Sequence, residues 1–372
     1  MINNLKSISC DEEMTPGRRR KITRIENSIY NFLMDRIAFT IALSIACCLF
    51  INCGKNKSVP KSAPDFSIAT FDGHKGPLSS VSFTPDGKQL LSAGKDGKLI
   101  LWDIQSRKQV WELSGGGSQL RAAAVSPDGR LTASGDDTGL LRIYDLSRHS
   151  LIQQVKADDI SLLALSFDST GEWIVTGGKD RKVKIWETAT ARLSGVFEGS
   201  FDRINAVALS ADGKMVLAGS SGSGIRVWRR SDGKPQNSHF EYNGEIYCLL
   251  SDPGRSLVIA GGSVGDLAGK REGRVRIWRY PDAKELLTFA PHRLVTSSVA
   301  VAANGALIAT ASTVDPVIRL WNTDTGDSIR TLIGHSTGVN HIDISPDGAL
   351  LASGGEDGTV KIWDLKSQPV SK

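Results

Sequence analysis

Of the aspartates that stand directly before glycine, Asp86, Asp128, Asp212 and Asp347 recur at corresponding places, between two strand-like runs. Two such carboxylates held close together could divide general acid and general base work between them. Recurrence argues against that chemistry, because a catalytic pair is singular while a repeated Asp-Gly is turn chemistry. Aspartate caps the turn with its own side chain, and glycine supplies the positive φ.

The other candidates fail on spacing. His74, His149, His239, His292, His335 and His341 show no ligand pattern of the HxxxH kind, so no metal site is expected. The run from Gly219 to Gly224, GSSGSG, lies between two strand-like segments and leads into no helix whose N-terminus could hold phosphate. Gly269-Lys270 has the ending of a phosphate-binding loop, yet Arg271 replaces Ser/Thr and Val264 stands where the first glycine belongs. No GxSxG nucleophile turn occurs in a strand-to-helix setting. Cys248, in EIYCLL, reads as a small buried hydrophobe. Neither a catalytic residue nor a cofactor is expected.

The elements that would position any site repeat along the chain. Trp102-Asp103, Tyr144-Asp145, Trp186-Glu187, Trp228-Arg229, Trp278-Arg279, Trp321-Asn322 and Trp363-Asp364 are separated by 42, 42, 42, 50, 43 and 42 residues. A period of 40 to 45 residues signals a propeller. Within each unit, short runs such as VSFT, QLLSA, LILWD and KQVWEL are rich in β-branched and aromatic residues and end in glycine turns, which predicts four antiparallel strands. No segment after residue 64 keeps a 3.6-residue apolar period.

Gly334-His335, Ser345-Pro346-Asp347-Gly348, Ser353, Asp357 and Trp363-Asp364 in the last unit, with Gly73-His74, Thr84-Pro85-Asp86-Gly87, Ser92, Asp96 and Trp102-Asp103 in the first, resemble the WD-repeat β-propeller family. The resemblance covers residues 65 to about 368. It implies an all-β, seven-bladed β-propeller of four-stranded antiparallel sheets. It also implies a hydrogen-bonded chain of His, Ser/Thr, Asp and Trp inside a blade, formed by His74, Ser92, Asp96 and Trp102 in unit 1 and by His335, Ser353, Asp357 and Trp363 in unit 7. Unit 3 keeps Thr176, Asp180 and Trp186 but has Ala157-Asp158 for Gly-His. Unit 2 has Thr138 for the Asp and Tyr144 for the Trp, unit 4 has Gly222, unit 5 has Glu272, and unit 6 keeps His292, Asp315 and Trp321 around an irregular STVDP turn. The full chain is therefore expected only in units 1 and 7. The sequence ends on the third strand of unit 7, so FSIATF, 66 to 71, is expected to supply the fourth and close the ring.

In this family the loops before the first strand and between the second and third share one face, which partners commonly use. The resemblance places Lys95, Asp137, Lys179, Arg293 and Glu356 there. Unit 5 is longer by eight residues, an excess assigned to a polar loop over 263 to 273 carrying Asp266, Lys270 and Arg271. A mixed-sign rim suits a polar protein partner.

The net charge of +5 lies wholly in residues 1–64, which hold ten Lys/Arg and five Asp/Glu. The remaining 35 basic and 35 acidic residues cancel, which argues against a nucleic-acid partner. Ile37 to Asn52 carries no charge, follows basic residues, and stops at Cys53-Gly54 before a polar linker, 54 to 64. It is short for a membrane span and fits a signal-peptide core. The pattern resembles a bacterial lipoprotein signal with lipid on Cys53; Cys47 as the modified residue, or an uncleaved apolar anchor, are the alternatives, and translation from Met34 would give a signal of ordinary length. Each places the propeller outside the cytoplasm on the cell envelope. The expectation is a non-catalytic, monomeric platform for protein partners; the alternatives are an envelope hydrolase or lyase with its site at the channel mouth, and a membrane-anchored regulatory propeller facing the cytoplasm.

Overall fold

The computed structural model describes residues 65–114, 117–200, 202–222, 224–236, 240–252, 254–265 and 269–366. The expectations for residues 1–64, Cys53 among them, and for Asp266 lie outside the described residues.

Seven four-stranded antiparallel sheets stand in a ring, with no helix among the described residues. Their first strands are Leu78–Phe83, Leu120–Val125, Leu162–Phe167, Ile204–Leu209, Gly244–Asp252, Ser298–Val301 and Val339–Ile344. Each touches the first strand of the next blade, and the last touches the first, so these strands wall a central channel. The chain is a seven-bladed β-propeller.

Burial explains the composition of each strand. Second strands such as Leu350–Gly355 and Trp173–Gly178 are buried at nearly every position, because a blade packs a neighbour against each of its two faces. Outer strands keep a wet side: along Ser150–Lys156 only Gln153 and Val155 are half-buried and the rest are exposed. The core accordingly lies between blades. Leu78, Val81, Leu90, Ile100 and Trp102 of blade 1 form one cluster with Ala352, Val360 and Ile362 of blade 7. One position in the second strand has to be small for this stacking. A Cβ on Gly177 would sit 2.4 Å from Ile204 of the next blade, and one on Gly219 would sit 2.3 Å from Ile246.

Closure joins the two ends of the propeller. Ala69–Asp72 pairs antiparallel with Thr359–Asp364 and is the fourth strand of the seventh sheet. The strand starts later than the sequence suggests, although Ile68 N–H still donates to Ile362 O at 2.8 Å and Phe66 N–H to Ile333 O at 3.0 Å. Lys361 Nζ lies 2.5 Å from the Asp65 carboxylate and 3.0 Å from Thr70 Oγ1.

The long fifth unit requires a correction. Residues 263 to 265 and 271 to 273, expected in a polar loop, are strand. Leu257–Gly265 and Arg271–Arg279 are nine-residue strands paired as far as Gly265↔Arg271. Gly244–Asp252 and Lys284–His292 are equally long, so the whole blade is taller and the added residues are absorbed as paired backbone.

Candidate binding face and channel

The four-member chain is present in blades 1 and 7. The Trp102 indole N–H donates to Ser92 Oγ at 2.8 Å, the Ser92 hydroxyl lies 2.8 Å from His74 Nε2, and His74 Nδ1 lies 3.0 Å from Asp96 Oδ1. The Trp363–Ser353–His335–Asp357 chain runs at 2.8, 2.7 and 3.0 Å. Since the hydroxyl accepts from the indole it donates to Nε2, which leaves the proton of each imidazole on Nδ1, facing the carboxylate. Burial lowers the basicity of His74 more than Asp96 raises it. Burial opposes ionisation of Asp357, but His335, the Ser336 amide and Thr359 outweigh it and hold the carboxyl well below the usual range.

Blade 6 carries the chain as well, against expectation. Trp321 donates to Thr310 at 2.9 Å, Thr310 lies 3.0 Å from His292 Nε2, and His292 Nδ1 lies 3.2 Å from Asp315. The irregular turn preserves the acid because Arg319 reaches it at 2.7 Å.

Blade 3 replaces the imidazole. Trp186 donates to Thr176 at 2.9 Å, but Asp180 is bound by Lys184 Nζ at 2.7 Å instead of by a histidine. Asp158 is buried beside it, accepting from the amides of Ile160 and Ser161 at 2.7 Å. Burial, with Asp180 close by, holds the Asp158 carboxyl above its ordinary range. In blade 2 the acid has moved to the fully buried Asp136, which Arg142 meets at 2.6 Å.

These arrangements share a signal that repeat spacing contained and the family pattern hid. Two residues before the aromatic stand Arg142, Lys184, Arg226, Arg276, Arg319 and Lys361, in every blade but the first, where the residue is Ile100. In blades 2, 3 and 6 that cation meets the acid at the turn between second and third strands, through Arg142, Lys184 and Arg319, whereas Arg276 reaches Glu241 O and Glu285, and Lys361 reaches Asp65 and Thr70.

The two loop sets meet on one face. Lys95 N–H donates to Pro77 O, Asp137 N–H to Gln119 O, Lys179 N–H to Ser161 O and Glu356 N–H to Gly338 O, all within 3.0 Å. Each turn also leans on the following blade: a Cβ on Gly139 would meet Asp158 O at 2.0 Å. The result is a continuous rim. On it Lys179, Arg293, Lys270 and Arg271 are exposed, while Lys95 pairs with Glu356 at 3.6 Å across the seam. Arg271 leaves the expected loop for a strand and meets Glu245 at 3.4 Å.

Inside the rim, bulges build the channel wall. The pairing of first and second strands skips one residue at Ser79, Arg121, Leu163, Asn205, Tyr247 and Asn340. A bulge re-aims the side chain of the extra residue, and all six line the channel, as Ser297 does in blade 6. The cavity measures about 650 Å³. His341 and Asp343, side by side on Val339–Ile344, have no counterpart in other blades. Both are committed to the seam: Val81 N–H donates to His341 Nδ1 at 3.4 Å and Phe83 N–H to Asp343 Oδ2 at 2.7 Å. Burial brings His341 down to about 4 and Asp343 up to about 6. Cys248, in the same wall, is pushed up to about 12 by burial, which leaves it a thiol.

The pattern of the WD domain, G-beta repeat matches residues 66–103, 107–145, 150–187, 191–229, 283–322 and 326–364, more than half of the sequence. The chain belongs to this family. The blade that departs furthest from the repeat, the tall fifth, falls between the matched segments of this WD propeller. Among curated proteins the small ribosomal subunit protein RACK1 of Candida albicans is 46% identical over 50 residues, 13% of this chain and 16% of its own. RACK1 of Medicago sativa is 40% identical over 47 residues, 13% of this chain and 14% of its own. The WD propeller thus spans about one-sixth of the length of the relatives it matches. A WD propeller of this kind fits a protein-interaction scaffold.

Proposed function

We propose that this protein is a non-catalytic docking platform whose rim, around Lys95, Asp137, Lys179, Arg293 and Glu356, receives a protein partner, and that residues 37–53 tether it to the cell envelope with the propeller outside the cytoplasm. One observation carries the reading: turns and loops of adjacent blades interlock into a rigid, mixed-sign surface on a scaffold of no net charge. The one acid and histidine pair singular to a blade is spent on the seam, which removes the main support for a hydrolytic channel. Tethering rests on the apolar run that stops at Cys53.

The test is a crosslinking pull-down from intact envelopes with the parent and with a Lys179→Glu, Arg293→Glu variant. Both side chains are exposed, so the fold should be unaffected while capture falls at least tenfold. Equal capture by both chains removes the rim from the interface. Mass measurement of the mature N-terminus decides lipid at Cys53.

A further inference from the structure

We propose that the channel mouth is a receptor for a single carboxylate, held by Arg121, with an N–H donor of the same ligand on Asn340. The inference rests on the docking face described above and names the chemical group that would enter it. The source is either the C-terminus of a partner chain or a small free carboxylic acid.

The argument starts from the bulge positions. They place Ser79, Arg121, Leu163, Asn205, Tyr247, Ser297 and Asn340 at equivalent points of the wall, one per blade. Most of the polar members are spent on the protein. Asn205 Nδ2 donates to Ile246 O of the next blade at 3.0 Å, Ser297 Oγ to Val339 O at 2.8 Å, and Asn340 Nδ2 to Leu78 O at 2.7 Å. Ser79 Oγ donates to Ala93 O at 3.1 Å, and the Tyr247 phenol donates to Glu245. Arg121 alone of the polar members makes no hydrogen bond or ion pair among the described residues, and its Nε is buried without a partner. The adjoining strands bring Ala122, Leu163 and Ala164 to the same wall, with Ser79, Ser80 and Ser82 of blade 1, and no acid pairs with Arg121 among the described residues.

A guanidinium nitrogen buried without an acceptor is costly, and an anion bound to that guanidinium removes the cost. The wall selects among anions. Arg121 is its only arginine or lysine, and two carboxyls, Asp252 and Asp343, lie further along their strands, each accepting backbone amides. One cation facing two acids favours a monoanion over phosphate, and the planar fork matches a carboxylate with two parallel bonds. Asn340 adds the second contact. Its Nδ2 must face the Leu78 carbonyl, so Oδ1 is fixed as an acceptor, and it is buried without a partner. A chain terminus presents a carboxylate and an amide N–H together, and 650 Å³ is within the ordinary range for a small-ligand cavity.

N-acetyl-Gly-Gly with a free carboxylate, its C-terminal amide, acetate and inorganic phosphate, each titrated into the full chain by calorimetry, test this. The free-acid peptide should saturate the protein, and the amide should bind at least about tenfold more weakly, the scale of one charge-assisted contact. Arg121→Gln should lose the same factor while melting no lower than the parent, since the residue holds no other group. Acetate binding as tightly as the peptide assigns the site to small free acids. Phosphate binding as tightly overturns the inference, as does a parent that binds no acid, or an Arg121→Gln chain that melts lower. If the acids fail while rim-dependent protein capture persists, this inference falls alone; loss of both removes the docking reading too.

Discussion

Asp357 shows what a single side chain does in a blade. It ties His335, and through it Ser353 and Trp363, to the turn between second and third strands. Asp357→Ala strands the His335 Nδ1 proton, and chemical denaturation should read a loss of about 1–3 kcal/mol without loss of partner capture. Asp343 acts with the opposite sign. Its carboxyl is raised from 3.8 to about 6 in the folded wall, so the folded state prefers the proton. That contribution is full below pH 3.8 and is lost as pH rises through 6. Asp343→Asn keeps an oxygen for the Phe83 amide and removes the titration, so its melting temperature relative to the parent should climb between pH 4 and 7. A flat difference across that window would show that Asp343 does not titrate as described. The network residues were legible because type and spacing recur together. Asp343 and His341 were not, since their meaning depends on which strand faces them across the seam, 260 residues away.

At the scale of strands, repeats were readable wherever each unit solves the same packing problem alone. Gly177 illustrates how a one-residue rule is written by a neighbour. Its missing Cβ admits Ile204 of the next blade, so Gly177→Ala should force the inner strands apart and cost about 1–3 kcal/mol, read from the urea midpoint. An unchanged midpoint would mean that the stack has slack at that junction. The fifth blade was misread for a related reason. SVGDLAGKREG lacks the alternation of a strand, and its pairing depends on first and fourth strands that lengthened with it. Such agreement among four segments is not visible in any one of them. The third full hydrogen-bonded chain, in blade 6, was hidden likewise, because Arg319 compensates for the unusual turn from the following strand.

The ring as a whole depends on one junction more than on the other six. Consecutive blades stay tethered by the chain if their packing loosens, whereas the ring is closed inside the seventh sheet, where Ala69–Asp72 pairs with Thr359–Asp364 and Lys361 meets Asp65, 296 residues apart. Opening there releases the chain ends and all the entropy that closure removed. Phe71 is the apolar bolt of this seam. It belongs to the outer strand of the seventh sheet, is 3% exposed, and lies 5.2 Å between ring centroids from Trp102 of blade 1. Phe71→Ala should therefore cost about 3–5 kcal/mol by equilibrium unfolding. Leu151, half-exposed on the outer strand of blade 2, is the control, and Leu151→Ala should leave the midpoint nearly unchanged. If the two variants unfold alike, the seam is not the weak point of the ring. If Phe71→Ala alone speeds proteolysis near residue 65, the propeller opens where its two ends meet.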